Sequence, residues 1–255
     1  MKQFITLFKK EIMEHTRNFK LFATFIVFMI IGILSPLIAL ATPKILEKAL
    51  GDEFGEIKIP PPTAYDSFAQ FFTNMNQIGL IIFVIVFGSI LTNEIIEGTL
   101  INLLTKGLNR KIIVLNKFMF VSVIWTIFYF LSGLVTYLYT IYYWEETLHH
   151  FLISLSLTWV FGLFIVTLVI LFSVMTKNFV GVLLLIVTVI ITMFILSIYE
   201  PITSYLPLTL IEKNIVLLSG DIAVKEVLKS LIVTSVLSVV ALVSAIFIFD
   251  KREIV

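Results

Sequence analysis

The sequence predicts an all-α membrane protein whose helices cross the bilayer six times. Hydrophobic residues make up 59% of the 255 residues and charged residues only 14%, whereas a soluble domain is about half apolar and a quarter charged. The net charge of +1 gives no bulk field that would favour nucleic acid as a partner. Because the chain contains no cysteine, thiolate nucleophiles and thiolate metal sites are excluded. We therefore expect one transmembrane domain over residues 1–255, in contact with lipid.

An amphipathic helix is predicted at the N-terminus, over residues 1–20. Phe4, Phe8 and Ile12 recur every fourth residue, and most of the charged residues fall on other faces. Such a helix lies on the cytoplasmic surface of the bilayer. A signal peptide is the alternative, but the apolar run over residues 21–41 is too long for a signal core and matches the ~20 residues of a transmembrane helix.

Six membrane spans are predicted from the apolar runs. They cover residues 21–41, 78–91, 112–143, 151–175, 179–199 and 231–249. The second run is short by itself, and Phe71, Phe72 and Met75 could lengthen it at the end of a polar segment over residues 42–77. None of the spans is expected to place an ionisable residue in its apolar interior. This argues against an ion-coupled carrier and against an intramembrane protease.

The distribution of lysine and arginine predicts that both termini are cytoplasmic. In that orientation 12 of the 18 basic residues lie on the inner side and 6 on the outer side, as the positive-inside rule requires. An aromatic belt would then mark the outer surface, formed by Tyr137, Tyr139, Tyr142, Tyr143 and Trp144. We expect a multi-pass protein of the cell membrane.

Residues 93–111 form the polar loop between the second and third spans, and they predict a short amphipathic helix. Acidic residues suit the positive end of a helix dipole, and three leucines at helical spacing share one face. These residues are Glu94, Glu97, Leu100, Leu103 and Leu104. Gly107 then supplies a residue that tolerates positive φ, which is typical of a helix end. The leucines could pack on neighbouring spans instead, and the two acids could be helix caps only.

ATP binding and metal binding by this chain are not expected. A phosphate-binding loop needs a glycine followed by lysine, and none of the 11 glycines is followed by lysine. His149 and His150 are adjacent and do not face each other on a helix, and a metal site needs more ligands than the sequence places nearby. We predict no cofactor, no metal and no catalytic residue. Energy for uphill transport would then come from another subunit.

The loop between the second and third spans contains a recognisable order of residues. Glu97-Gly98-Thr99-Leu100 is followed by Leu103-Leu104, Arg110 and Lys117, and Lys10-Glu11 stands near the N-terminus. This pattern resembles the membrane subunits of ATP-binding-cassette (ABC) transporters of the second exporter class, which include bacterial drug, peptide and polysaccharide exporters. Two positions depart from the family's pattern, because Gly107 stands where proline is common and Asn116 where glycine is.

The resemblance implies an N-terminal elbow helix and a coupling helix that docks on a separate nucleotide-binding ATPase subunit. It implies that the docking residues are Glu94, Glu97, Gly98, Thr99, Leu100, Leu103, Leu104 and Arg110. ATP and Mg would be bound by the ATPase, and two identical or related permease subunits would assemble with two ATPases. Residues 200–229, which contain Pro201 and Pro207, would supply the family's short external re-entrant helices.

The uncharged spans suit an amphiphilic substrate such as a peptide, a lipid or a drug, and the resemblance favours an antimicrobial or toxin-like peptide. Ser89, Thr188, Thr192 and Ser197 are candidates for the substrate path, although such residues more often hydrogen-bond between helices. We therefore expect a transport subunit and not an enzyme. A non-transporting component for immunity or sensing is an alternative, and a membrane enzyme is a less favoured one.

Overall fold

The computed structural model describes residues 2–50, 60–100, 105, 107–145, 148–176 and 178–252. These residues form helices and turns, and no strand occurs among them. The helices are α1 (Lys2–Arg17), α2 (Lys20–Leu50), α3 (Ala64–Asn74), a π-helical turn (Met75–Gly79), α4 (Leu80–Phe87), α5 (Thr92–Ile96), α6 (Arg110–Tyr143), α7 (Phe151–Met175), α8 (Phe179–Ser197), α9 (Glu200–Thr203), α10 (Thr209–Ser219) and α11 (Lys225–Lys251).

Six helical segments of the described chain are long and apolar enough to cross a membrane, which confirms the predicted all-α polytopic fold. They are Lys20–Lys48, Ala64–Ile96, Arg110–Tyr143, Phe151–Met175, Phe179–Ser197 and Lys225–Lys251. The bundle is therefore that of a multi-pass membrane protein.

The second span begins at Ala64, well before the predicted residue 78, because a capping box starts its helix. Asp66 Oδ2 accepts a hydrogen bond of 2.8 Å from the backbone N–H of Thr63, and the Thr63 side chain caps the helix in return. The amides that made this stretch look like a loop are paired inside the bundle. Gln70 Nε2 donates to Asn74 Oδ1 at 3.1 Å, and Asn74 Nδ2 donates to Ser35 Oγ at 3.1 Å.

Close helix approach at small residues fixes the middle of the bundle. The fully buried Trp125 of α6 lies against Gly162 of α7, where a Cβ atom would come within 2.1 Å of the indole ring. Trp125 Nε1 donates to the Trp159 carbonyl oxygen at 3.1 Å. Three turns further along α6, Thr136 Oγ1 donates to the Gly32 carbonyl oxygen at 3.0 Å and joins α6 to α2. Small residues and hydroxyls at helix contacts are typical of membrane bundles.

Residues 200–229 contain the two short helices α9 and α10, which lie between the fifth and sixth spans. Asn214 Nδ2 of α10 donates to Thr158 Oγ1 of α7 at 2.7 Å. Ser230 Oγ of α11 donates to the Leu206 carbonyl oxygen at 2.6 Å. This segment is therefore anchored to the fourth and sixth spans by buried polar contacts.

The helix ends gather at two opposite ends of the bundle. One end, which we call the α1 end, holds α1 and α5, the starts of α2, α6 and α8, and the ends of α7 and α11. The other, the α10 end, holds α9 and α10, the starts of α3 and α7, and the end of α6, where Trp144 Nε1 donates to the Pro62 carbonyl oxygen at 2.6 Å. The described loop residues of the resemblance, which are Glu94, residues 97–100 and Arg110, lie at the α1 end.

Candidate functional site

The candidate site is the segment over residues 92–110, which joins α4 to α6 at the α1 end. It begins with α5, whose C-cap is Glu97, and Gly98 follows with a φ of +67°. Gly107 has a φ of +81°, the positive φ that the sequence suggested for this glycine. Asn109 caps α6, since its Oδ1 accepts a hydrogen bond of 2.9 Å from the Lys111 N–H. Leu103 and Leu104, two of the predicted docking residues, lie outside the described residues.

The exposed side chains of the described segment are mostly polar, and Ile96, 63% exposed, is the apolar exception. The side chains of Glu97 and Thr99 are exposed and Gly98 is half-buried. Thr99 Oγ1 donates to the Glu94 carbonyl oxygen at 3.3 Å, which ties the turn after α5 to that helix. Among the described residues predicted to dock, Glu97 and Thr99 are thus the two whose side chains are exposed and could contact a partner.

Leu100, in contrast, is fully buried in the core of the bundle. It packs inside the chain, which was the alternative to a docking role. Its apolar side chain fixes the segment to the bundle instead of presenting a face to another protein.

Glu94, also a predicted docking residue, is buried in an ion-pair cluster that we define as Lys10, Glu11, Glu94 and Lys117. The Lys117 ammonium lies 2.7 Å from Glu11 Oε1 and 2.9 Å from Glu94 Oε1. Lys10 forms a second ion pair with Glu94. Glu11, Glu94 and Lys117 are each at most 5% exposed. The cluster joins α1, α5 and α6, so Glu94 contacts the chain's own helices.

Sequence reasoning missed this cluster because Lys117 was counted among the cytoplasmic basic residues and not among those of the spans. The structure places it in the second turn of α6, inside the stretch that is apolar enough to cross a membrane. The expectation of spans free of charge therefore does not hold at this end of the third span. Lys117 and Glu11 both belong to the residue pattern on which the resemblance rests, and this pattern was the available signal for the cluster. It did not indicate that the two residues form an ion pair with each other.

Burial and neighbouring charges set the protonation of the cluster's α1 residues. Burial raises the pKa of the Glu11 carboxyl, with Glu94 adding to the effect, and Lys117 and Lys10 oppose it only in part. Burial lowers the pKa of Lys10, but the carboxylates around it, Glu94 first, outweigh burial and hold that pKa above its ordinary value. Lys10 therefore stays charged at neutral pH.

His15 lies next to the cluster and is neutral at pH 7. Burial lowers the pKa of His15 to about 4, and its ring packs on Phe87 and Phe120 at centroid distances of 5.7 and 4.9 Å. Its Nδ1 lies 3.0 Å from the Glu11 carbonyl oxygen. Since a carbonyl oxygen only accepts, Nδ1 carries the proton of the neutral ring. This histidine is a packing residue of α1.

Arg110, the last predicted docking residue, binds the end of α11. Its Nη1 donates to the carbonyl oxygens of Phe249 at 3.4 Å, of Asp250 at 3.5 Å and of Arg252. The last carbonyls of a helix have no partner within the helix, and a cation there also suits the helix dipole. The segment is therefore fixed at both ends, by Glu94 at its start and by Arg110 at its close.

The four residues expected on a substrate path do not form one cluster. Thr188 and Thr192 are exposed on α8, and each hydroxyl donates at 2.8 Å to a carbonyl one turn earlier. The Ser197 hydroxyl donates at 2.8 Å to Phe194 O near the end of α8. Ser89 follows Gly88, on which Phe179 at the start of α8 packs. At 1.5 Å per helical residue, Thr188 lies roughly 14 Å further along.

A groove lined mainly by apolar side chains lies between α4, α7, α8 and α10, and sequence reasoning missed it. Its volume is about 300 Å³. Residues along it include Leu80, Val84, Phe161, Leu183, Ile186 and Ile211. Asn76 of the π-helical turn also lines it, and the buried Asn76 Oδ1 has no hydrogen-bond partner among the described residues. Nothing in the sequence pointed to this residue, because Asn76 fell in the stretch assigned to a polar loop.

Metal binding has one geometric candidate among the described residues, the carboxylates of Glu11, Glu14 and Glu94. Lys117 lies against the first and third of these, and Lys10 lies near all three. Ammonium groups at ion-pair distance occupy the positions that a cation would need, so we interpret this group as a salt-bridge network.

Comparison of the chain with protein-family models and with curated proteins finds no match in either. Its function has to be inferred from its own residues.

Proposed function

We propose that this protein is the permease subunit of an ABC exporter that moves an amphiphilic substrate out of the cytoplasm. A separate subunit would bind ATP and Mg and hydrolyse ATP. The observation that carries the proposal is the segment over residues 92–110. It is fixed to the bundle at both ends, through Glu94 and through Arg110, and between them it presents the exposed residues Glu97 and Thr99.

This two-sided attachment suits a docking surface. Removing charges from water is costly, and burying Glu94 and Lys117 is offset only when their geometry is good. A loop that merely connects two spans has no need of that arrangement. Residues whose conformation is already held by the bundle, as those around Glu94 and Arg110 are, lose less entropy when a partner binds, which strengthens binding. The partner we propose is the ATPase subunit, and the α1 end would then face the cytoplasm, as the distribution of basic residues predicts.

The groove supports the substrate side of the proposal. The buried Asn76 Oδ1 has no partner among the described residues and belongs to a side chain that lines the groove, so this face is better suited to a substrate path or to a second permease subunit than to lipid. Apolar walls with one side-chain amide fit an amphiphile that carries a hydrogen-bonding group such as a hydroxyl or an amide. We propose that two permease subunits, identical or related, enclose the path, and that a peptide, lipid or drug passes along it.

Purification from the native membrane tests the proposal. We expect the tagged chain, solubilised in mild detergent, to be isolated with an ATPase that has a phosphate-binding loop, and with as many permease subunits as ATPase subunits. ATP hydrolysis by that complex should rise when the transported amphiphile is added. A chain that is purified alone from native membranes that contain ABC ATPase subunits would contradict the proposal.

A further inference from the structure

Two arginines connect three helix ends at the α1 end, and we call this pair the arginine relay. Arg110 is the first residue of α6, and its guanidinium donates to three carbonyl oxygens at the end of α11. Arg252 follows α11, and its guanidinium donates to Val174 O and, at 3.3 Å, to Thr176 O at the end of α7. The contacts therefore run in series from α6 to α11 and from α11 to α7.

The chemistry of these contacts makes them selective for arginine. The last four carbonyls of a helix lack intrahelical partners, and the negative end of the helix dipole attracts a cation. A guanidinium has five N–H donors in a fixed planar arrangement and can serve several carbonyls at once. Lysine keeps the charge but lacks the planar arrangement. Both guanidinium groups bind main-chain oxygens, so the relay positions backbone directly.

The end of α7 is joined in turn to the start of α8. Thr176 Oγ1 donates to the Asn178 carbonyl oxygen at 3.3 Å, and Asn178 Oδ1 accepts a hydrogen bond of 2.7 Å from the Gly181 N–H as the cap of α8. Both α7 and α8 line the groove that contains Asn76. A continuous set of contacts therefore links the segment over residues 92–110 with two walls of the groove.

We propose that Arg110 and Arg252 are positioning residues that make the close of this segment, the last turn of α11 and the end of α7 move as one body. The role of this coupling in transport rests on the proposed function. If an ATPase docks on the segment and displaces it, the relay would transmit that movement through α7 and α8 to the walls of the groove. The coupling itself is a property of the isolated chain and can be tested without a partner.

Hydrogen–deuterium exchange of the detergent-solubilised chain tests the relay. Arg110→Gln removes the contacts to α11, and Arg110 makes none of the described contacts to α7. We expect exchange of the backbone amides over residues 172–176 to become about tenfold faster, because local opening is governed by the stability of the surrounding contacts. Arg252→Gln should act in the reverse direction and accelerate exchange at the cap of α6, over residues 109–112. Arg110→Lys should give an intermediate increase, and it replaces the glutamine variant if that protein does not fold.

Lys251→Gln is the matched control, since it removes an equal charge from an exposed side chain beside Arg252. It should leave exchange at both remote sites within about twofold of the native chain. Faster exchange in Arg110→Gln confined to residues 249–252 would overturn the relay. Because exchange is measured without the ATPase, its outcome is independent of the purification experiment that tests the proposed function.

Discussion

Replacement of Lys117 by methionine should destabilise the protein strongly. The change keeps most of the side-chain volume but leaves Glu11 without its nearest cation, 2.7 Å away, and Glu94 with Lys10 only. Removing one partner of a buried ion pair costs about 3–5 kcal/mol, and Lys10 places this case near the lower value. For a chain of this size, 3 kcal/mol corresponds to a fall in Tm of roughly 6–12 °C. Thermal unfolding in detergent measures it.

The control for this prediction is Lys111→Met. Lys111 is mostly exposed and lies 3.6 Å from Asp250, and an exposed pair contributes about 0–1 kcal/mol. Adding Glu11→Gln to Lys117→Met should recover a large part of the lost stability, because the carboxylate that lost its nearest cation is then neutral, and Glu94 keeps Lys10. Equal shifts for Lys117→Met and Lys111→Met, with no recovery in the double variant, would refute the buried cluster.

Four further expectations follow from single residues. The pKa of His15 in the folded protein, about 4, lies below the ordinary 6.5. The stability that neutral His15 contributes is therefore complete above pH 6.5 and is lost as the pH falls towards 4, by about 3 kcal/mol in all. His15→Gln should remove this part of the pH dependence of Tm. Gly162→Ala would place a Cβ atom 2.1 Å from Trp125 and should cost about 1–3 kcal/mol by overpacking, seen as a lower Tm. Asn76→Leu should weaken export of a substrate that carries a hydroxyl or amide donor about tenfold relative to an apolar analogue, since a site loses that selectivity with its polar partner. Cysteine at the exposed Thr99 should react with an impermeant thiol reagent only in opened cells, in this otherwise cysteine-free chain.

Gly133→Ala serves as the control for the glycine prediction, because the nearest atom to its Cβ would be Leu155 Cδ1, 3.3 Å away at the end of a flexible side chain. A Tm for Gly162→Ala equal to that of Gly133→Ala would contradict the close packing on Trp125. Labelling of the Thr99→Cys variant from outside intact cells would contradict the orientation. A pH profile unchanged by His15→Gln would mean that its ring is not buried as a neutral group.

The fold could be predicted from hydropathy because the apolar residues are grouped in runs long enough to cross a membrane. Each of these six runs predicts one span. The boundaries did not follow where polar residues are satisfied inside the bundle. Gln70 and Asn74 look like loop residues in the sequence, and only their pairing with each other and with Ser35 makes a helix possible. Asn76 was assigned to the same loop and therefore could not be recognised as part of the groove.

The candidate site was located by sequence, but the roles of its residues were not. A pattern of residue types cannot tell whether Glu94 pairs with Lys117, twenty-three positions away (117 − 94), or faces a partner. The same is true of Arg110, whose acceptors lie near the other end of the chain. These contacts depend on how the helices assemble. Glu97 and Thr99 are exposed, as a docking role requires. Substitution at these two residues therefore tests the docking role.

Binding of the ATPase by a chain altered at Glu97 tests the central claim most directly. We expect Glu97→Lys to weaken binding at least about tenfold, that is by about 1.4 kcal/mol, while yield and Tm stay near those of the native chain. Glu145→Lys, the same change at an exposed residue near the opposite end of the bundle, should bind the ATPase normally. If both variants bind the ATPase as tightly as the native chain does, the segment over residues 92–110 is not the docking site.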